Sequence, residues 1–129
     1  MLTEEFEHYE HHAKYIDDAD IEHAFWYLVA FGAHSQKYDC KIYQAPSGEG
    51  KRSFRFHNAD KKYPLSFLIN RKHLSFYFRK PFFDERRLSI QSVKDHFGDL
   101  AYLSPNSNEV QIRVESVDGA HRVTEFLMR

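Results

Sequence analysis

One cysteine, Cys40, stands in the whole chain, and that scarcity closes off several chemistries. It excludes an internal disulfide framework and any cysteine-rich zinc motif. It also favours a reducing compartment. No apolar run approaches the roughly 20 residues needed to span a bilayer. The segment Met1-Leu2-Thr3-Glu4-Glu5 is acidic and lacks the apolar stretch of a signal peptide. We therefore expect a cytoplasmic protein with no membrane partner. Internal repeats and low-complexity tracts are missing too, so the 129 residues read as one α+β domain with enough apolar content, 42%, for a real core.

The familiar catalytic signatures are equally scarce. His8 and His12 lie four apart on a predicted helix and could reach one metal ion, with Glu5 and Asp18 as further ligands. The metalloprotease pattern needs a glutamate directly after His8, and Tyr9 stands there instead. Gly48-Glu49-Gly50-Lys51 lacks the spacing of a phosphate-binding loop, and no serine nucleophile elbow is present. Asp39-Cys40-Lys41 matches the Asp/Glu-x-Lys element of metal-dependent nucleases, but no earlier strand presents a second acid. Nothing nearby marks Cys40 as a reactive thiolate, and a strand cysteine usually behaves as a small hydrophobe. We expect no cofactor and no metal, and binding rather than catalysis.

What is present is sorted charge. Residues 1–36 carry eight acids and one base, a formal −7. Residues 37–88 carry thirteen bases and five acids, a formal +8, together with eleven of the 21 aromatic residues. Residues 89–129 return to −2, with four bases and six acids. Sign asymmetry of this kind points towards partners rather than fold.

Periodicity supplies the elements. Leu2, Phe6, Tyr9, Ala13 and Ile16 recur at helical spacing over about residues 3–16. Asp17-Asp18-Ala19-Asp20 supplies an N-cap for a second helix with Ile21, Ala24, Phe25, Leu28 and Phe31 on its stripe and Gly32 at its end. The period then becomes two. Lys41–Gln44, Arg52–Phe56, Pro64–Asn70 and His73–Arg79 read as strands, with a loop at Pro46–Gly50 and a tight turn at Asn70-Arg71-Lys72. Pro81 ends the fourth. Ser89 caps a short helix through Ile90, Val93 and Phe97, with Gly98 beyond. After a Ser104–Asn108 loop, Glu109–Glu115 is a fifth strand, and Ser116 caps a last helix through Val117, Ala120, Val123 and Leu127. The expected architecture is a mainly antiparallel sheet of about five strands, in the order ααββββαβα, with helices on one face.

Alternation assigns the faces. Phe54, Phe56, Leu65, Phe67, Ile69, Leu74, Phe76, Phe78, Val110, Ile112 and Val114 form a core layer, to be buried with Phe25, Leu28 and Val123. Arg55, His57, Ser66, Asn70, His73, Ser75, Tyr77, Arg79, Gln111 and Arg113 point the other way, with Leu68 the apolar exception. Arginines there suit phosphates, Tyr77 suits a stacked base, and Lys51, Lys61, Lys62 and Lys72 extend the field. The ordinary alternative is a solvated face, or one neutralised by the acidic helices.

The RNA-recognition motif is the obvious comparison, and it fails on its signature strand. That strand needs Lys/Arg-Gly-aromatic-Gly/Ala-Phe-Val-x-aromatic. Arg71-Lys72-His73-Leu74-Ser75-Phe76-Tyr77-Phe78 lacks the glycine, and its three consecutive aromatics alternate faces. Three functional expectations remain. The first is a small module binding nucleic acid or an acidic surface through Arg55, His57, His73, Tyr77, Arg79, Gln111 and Arg113. The second is an immunity- or inhibitor-type factor binding a basic protein through the acidic helices. The third is a metal-free ribonuclease using His57 and His73 as acid and base.

Overall fold

Alternating apolar and polar residues pair into a single sheet when one face can be covered. The computed structural model describes residues 9–42, 53–103 and 108–128, with residues 40–42 described through their backbone. Its six strands are β1 (Asp39–Ile42), β2 (Ser53–His57), β3 (Leu65–Ile69), β4 (Leu74–Phe78), β5 (Ala101–Leu103) and β6 (Val110–Val114). They run in the order β1-β2-β3-β4-β6-β5, and every neighbouring pair is antiparallel. The α+β class and the five expected strands are present. The loop expected at Pro46–Gly50, Tyr43 and Gln44 of the first strand, Lys51, Arg52 and Ser104–Ser107 lie outside the described residues, as do Leu2, Glu5, Phe6 and His8.

The apolar set is buried as one layer. Phe54, Phe56, Phe67, Phe76 and Phe78 are fully buried, together with Phe25, Leu28 and Val123. Phe54 and Phe67 stack across β2 and β3 with ring centroids 4.9 Å apart. Each helix reaches this layer by an aromatic or aliphatic contact. In α1 (helical over residues 9–13), Tyr9 stacks on Phe54 at 5.6 Å. In α2 (Ala19–His34), Phe25 meets Phe54 edge-on at 5.3 Å. The C-terminal helix α5 (Val117–Leu127) sets Phe126 against Phe78 at 5.7 Å.

Local chemistry fixes the ends of these helices. Asp18 accepts from the backbone N–H groups of Asp20 and Ile21, at 2.9 and 3.1 Å, and so caps α2. Ser89 does the same for α4 (Ile90–Phe97), and Ser116 for α5. Gly98 follows α4 with φ of +61°, a conformation that glycine adopts without a Cβ clash. Gly32, expected as the end of α2, lies buried inside it, and the helix continues to His34. A glycine within a helix costs about 1 kcal/mol, and the burial of the turn holding Leu28 and Val29 outweighs that.

Two elements were not foreseen. Strand β4 ends before Pro81, as expected, but Pro81 then opens the short helix α3 (Lys80–Arg86). Proline suits a first helical turn because its missing N–H has no partner to lose there. The helix buries Phe82 and Phe83. The second addition is β5, a three-residue edge strand that follows a 3-10 turn at Gly98–Leu100.

Candidate functional site on the polar sheet face

Antiparallel register arranges the polar face in cross-strand rows. Arg55, Ser66, Tyr77, Gln111 and Tyr102 form one row, each the direct partner of the next across β2, β3, β4, β6 and β5. Leu68, Ser75 and Arg113 form the adjacent row. Towards one end of the sheet Asp39 pairs with His57, and Arg79 stands one step beyond the Phe78–Val110 pair, beside Glu109. Towards the other end lie Asn70 and His73, whose backbones close the β3–β4 turn with a 3.0 Å hydrogen bond from Asn70 N–H to His73 C=O. All seven predicted binding residues therefore share this face.

They divide into separate groups. At the Arg79 end, the Tyr63 ring lies between two guanidinium groups. Arg55 sits 4.0 Å and Arg79 4.5 Å from its centroid. His57 meets the same ring edge-on at 5.9 Å. Arg79 also pairs with Glu109 at 3.1 Å. In the middle, Gln111 donates to Ser75 Oγ at 3.1 Å, and Asn70 Nδ2 donates to the same oxygen at 3.3 Å. Asn70 Nδ2 also lies 3.1 Å from His73 Nε2. Arg113 is exposed and pairs with Glu115 at 3.5 Å.

The register keeps His57 and His73 apart. His57 lies one residue beyond the Phe56–Leu65–Phe78 row, and His73 lies one beyond the Ile69–Leu74 row on the opposite side. With four steps between those rows, the two residues stand six steps apart along the strands, roughly 20 Å at about 3.4 Å per residue. An acid–base pair must reach one scissile bond within hydrogen-bond distance. The histidine ribonuclease expectation loses its geometric premise.

Burial and charge tune the central groups. Tyr77 is half-buried, and its hydroxyl pKa is raised above the usual 10.0, first by burial and then by the Glu109 carboxylate, with Arg79 and a hydrogen bond to Ser75 opposing. His73 is held below the usual 6.5 by burial and by the Arg113 charge, with Glu115 opposing. Ser66, between Arg55 and Tyr77 in that row, is only 5% exposed.

Tyr63 and Tyr102 escaped the sequence reading. Tyr63 precedes Pro64, outside the alternating stretch, so parity could not assign it. Tyr102 belongs to the unforeseen edge strand and is 59% exposed.

The described parts of the acidic helices lie on the other side of the sheet. α1 and α2 pack on the apolar side through Tyr9 and Phe25, and Glu10, Asp17, Asp18, Asp20 and Glu22 are exposed there. Partners for the basic section come from nearer by, as in Lys37–Glu85 at 2.8 Å and Lys80–Asp84 at 2.7 Å.

Among the described residues, no group of three His, Cys, Asp or Glu side chains is placed to hold a metal ion. His12 packs edge-on against Phe54 at 5.5 Å. No described helix is long and apolar enough to cross a membrane. No protein-family model matches the sequence, and comparisons with curated proteins and with solved structures give no match either.

Proposed function

We propose that this protein is a binding module that takes a single-stranded nucleic acid across its polar sheet face. The observation that carries the reading is the Arg55–Tyr63–Arg79 stack, set beside a row holding Tyr77, Gln111 and Tyr102. Guanidinium groups held on a ring are pre-oriented for phosphate oxygens. The Tyr77 and Tyr102 rings, on β4 and β5 to either side of β6, offer π-faces to bases, and unpaired bases alone are free to use them. Gln111, Asn70 and Ser75 add neutral donors and acceptors between the rings.

Titration of single-stranded DNA and RNA oligonucleotides at low and moderate salt tests this. Binding should weaken steeply with salt. Arg79→Ala or Arg113→Ala should lower affinity and flatten the salt dependence. Tyr77→Ala should remove about 1–3 kcal/mol, with little dependence on base identity if simple stacking dominates. No binding at low salt eliminates the reading.

A second reading has its own support in the opposite surface. The exposed acids Asp17, Asp18, Asp20 and Glu22 form a negative region suited to a basic protein partner. Co-purification of one basic protein, lost on neutralising Asp20 and Glu22, would favour an inhibitor or immunity role.

A further inference from the structure

Glu109 and Glu115 flank strand β6 at its two ends, and both share the parity of Gln111 and Arg113. Glu109 pairs with Arg79 at 3.1 Å, and Glu115 with Arg113 at 3.5 Å. The two acids are six steps apart, roughly 20 Å at about 3.4 Å per residue. A polyanion laid lengthwise on β6 would pass both carboxylates and compete with each for its arginine. The cross-strand row that passes between them holds no acid. It consists of Arg55, Ser66, Tyr77, Gln111 and Tyr102.

Lengthwise paths are also poor in rings. From Tyr77 the next residue of β4 on this face is Ser75, which is buried and accepts from Gln111 and Asn70. His73 follows only at the turn. The adjacent row of Leu68, Ser75 and Arg113 has no aromatic side chain.

Across the strands the large groups are evenly spaced. Arg55 lies on β2, Tyr77 on β4 and Tyr102 on β5, with β3 and then β6 between them. At about 4.8 Å between strands, each interval is about 10 Å and the whole row about 19 Å. Arg55 and Arg79 hold the Tyr63 ring between them, so that ring orients cations instead of stacking a base. Tyr77 is half-buried in the middle of the sheet, and Tyr102 is more than half exposed on the edge strand. The row is therefore cationic at β2 and aromatic from β4 to β5.

We propose that a single strand crosses the sheet at right angles to the β-strands, along the row from Arg55 to Tyr102, in a site of about three to six nucleotides. This rests on the single-strand reading of the same face. A phosphate lies at the Arg55–Tyr63–Arg79 stack, and bases lie on Tyr77 and Tyr102. One clamped phosphate and two ring-bound bases set the lower limit at about three nucleotides. A strand stacked as in a duplex advances about 3.4 Å per nucleotide, so a row of about 19 Å admits no more than about six.

The test uses fluorescently labelled oligothymidylates of increasing length at low salt. Affinity should climb steeply up to about six nucleotides and then rise only with the number of registers available. Tyr102→Ala should lower affinity for the six-nucleotide ligand about fivefold to a hundredfold, the size of one lost stack, and Tyr102→Phe should keep it. The urea midpoint of Tyr102→Ala should stay close to wild type, so that lost binding is not lost folding. His73→Ala should bind as wild type does, because the row does not reach the β3–β4 turn. Two results overturn the proposal and leave the single-strand reading standing. One is Tyr102→Ala binding as tightly as wild type while Tyr77→Ala is weakened. The other is affinity that keeps climbing steeply well past about six nucleotides. If no oligonucleotide binds at low salt, or if strands bind and neither tyrosine matters, both fail.

Discussion

Arg55 lies 4.0 Å from the centroid of the Tyr63 ring, and the contact joins strand β2 to the residue that leads into β3. Arg79 takes the same ring at 4.5 Å, so one aromatic side chain aligns two cations that would otherwise repel. Exposed cation–π contacts contribute about 0.5–1 kcal/mol each. Tyr63→Leu should therefore lower unfolding stability by about 1–2 kcal/mol, whereas Tyr63→Phe, which keeps the ring, should stay close to wild type. Urea unfolding of the two variants separates them. Equal loss in both would assign the effect to the hydroxyl instead of the ring.

Phe76 lies at the centre of the core layer. It stacks nearly parallel with Phe67 at 6.4 Å and meets Phe78 edge-on at 5.4 Å. Truncation leaves a cavity that paired strands cannot collapse into, so Phe76→Ala should cost about 3–5 kcal/mol. A shift of the urea midpoint too small for that loss would contradict the packing. The capping site gives a smaller and independent check. Asp18→Ala removes the acceptor for two backbone N–H groups and should cost about 1 kcal/mol.

The core was legible because period two and helical stripes are strong signals. Each apolar residue named for β2 to β4 and for the last strand sits in the buried layer. The faces followed from the same parity, which is why Arg55, Tyr77 and Gln111 share one face, and the register then sets them in one row. What stayed hidden was set by tertiary context. Pro81 signals a strand end and a helix start equally well, and seven residues are too few for a stripe to decide. β5 has three residues, too short for alternation to register. Tyr63 and Tyr102 lie on segments with no parity of their own, so their places on the polar face depend on pairing and turn geometry. The Glu109 and Glu115 partnerships needed the register between β4 and β6, which sequence spacing does not carry.

His73 links the polar network to pH. In the folded protein it binds a proton less readily than its ordinary value of 6.5, through burial and the Arg113 charge. The unfolded chain therefore takes up more protons as pH falls through 6.5. His73 leaves stability undiminished above that value and lowers it as pH drops towards and below the folded pKa. Arg113→Gln removes the repelling charge while Glu115 remains. The His73 titration midpoint, followed by NMR of the ring proton, should move up, and the acid-side loss of stability between about pH 7 and 5 should shrink. A midpoint that stays in place would make burial the sole cause.

Glu109 is the acid that most directly opposes polyanion binding on this face. It pairs with Arg79 at 3.1 Å and also raises the Tyr77 pKa. Both side chains of the pair are about a third exposed, so replacing it should cost at most about 1 kcal/mol of stability. Glu109→Gln keeps the shape and removes the charge. If the face binds nucleic acid, a phosphate no longer competes with the carboxylate for Arg79. Affinity for single-stranded oligonucleotides should then rise at low salt, and the salt dependence should steepen by up to about one phosphate contact. In the free protein the Tyr77 pKa should fall, because a raising influence has gone, and NMR titration of the labelled tyrosine ring measures that without any ligand. The two readouts separate local electrostatics from function. A lower Tyr77 pKa with unchanged oligonucleotide affinity would place the Arg79–Glu109 pair outside any binding surface. That result would turn attention to the acidic helix pair on the other side of the molecule.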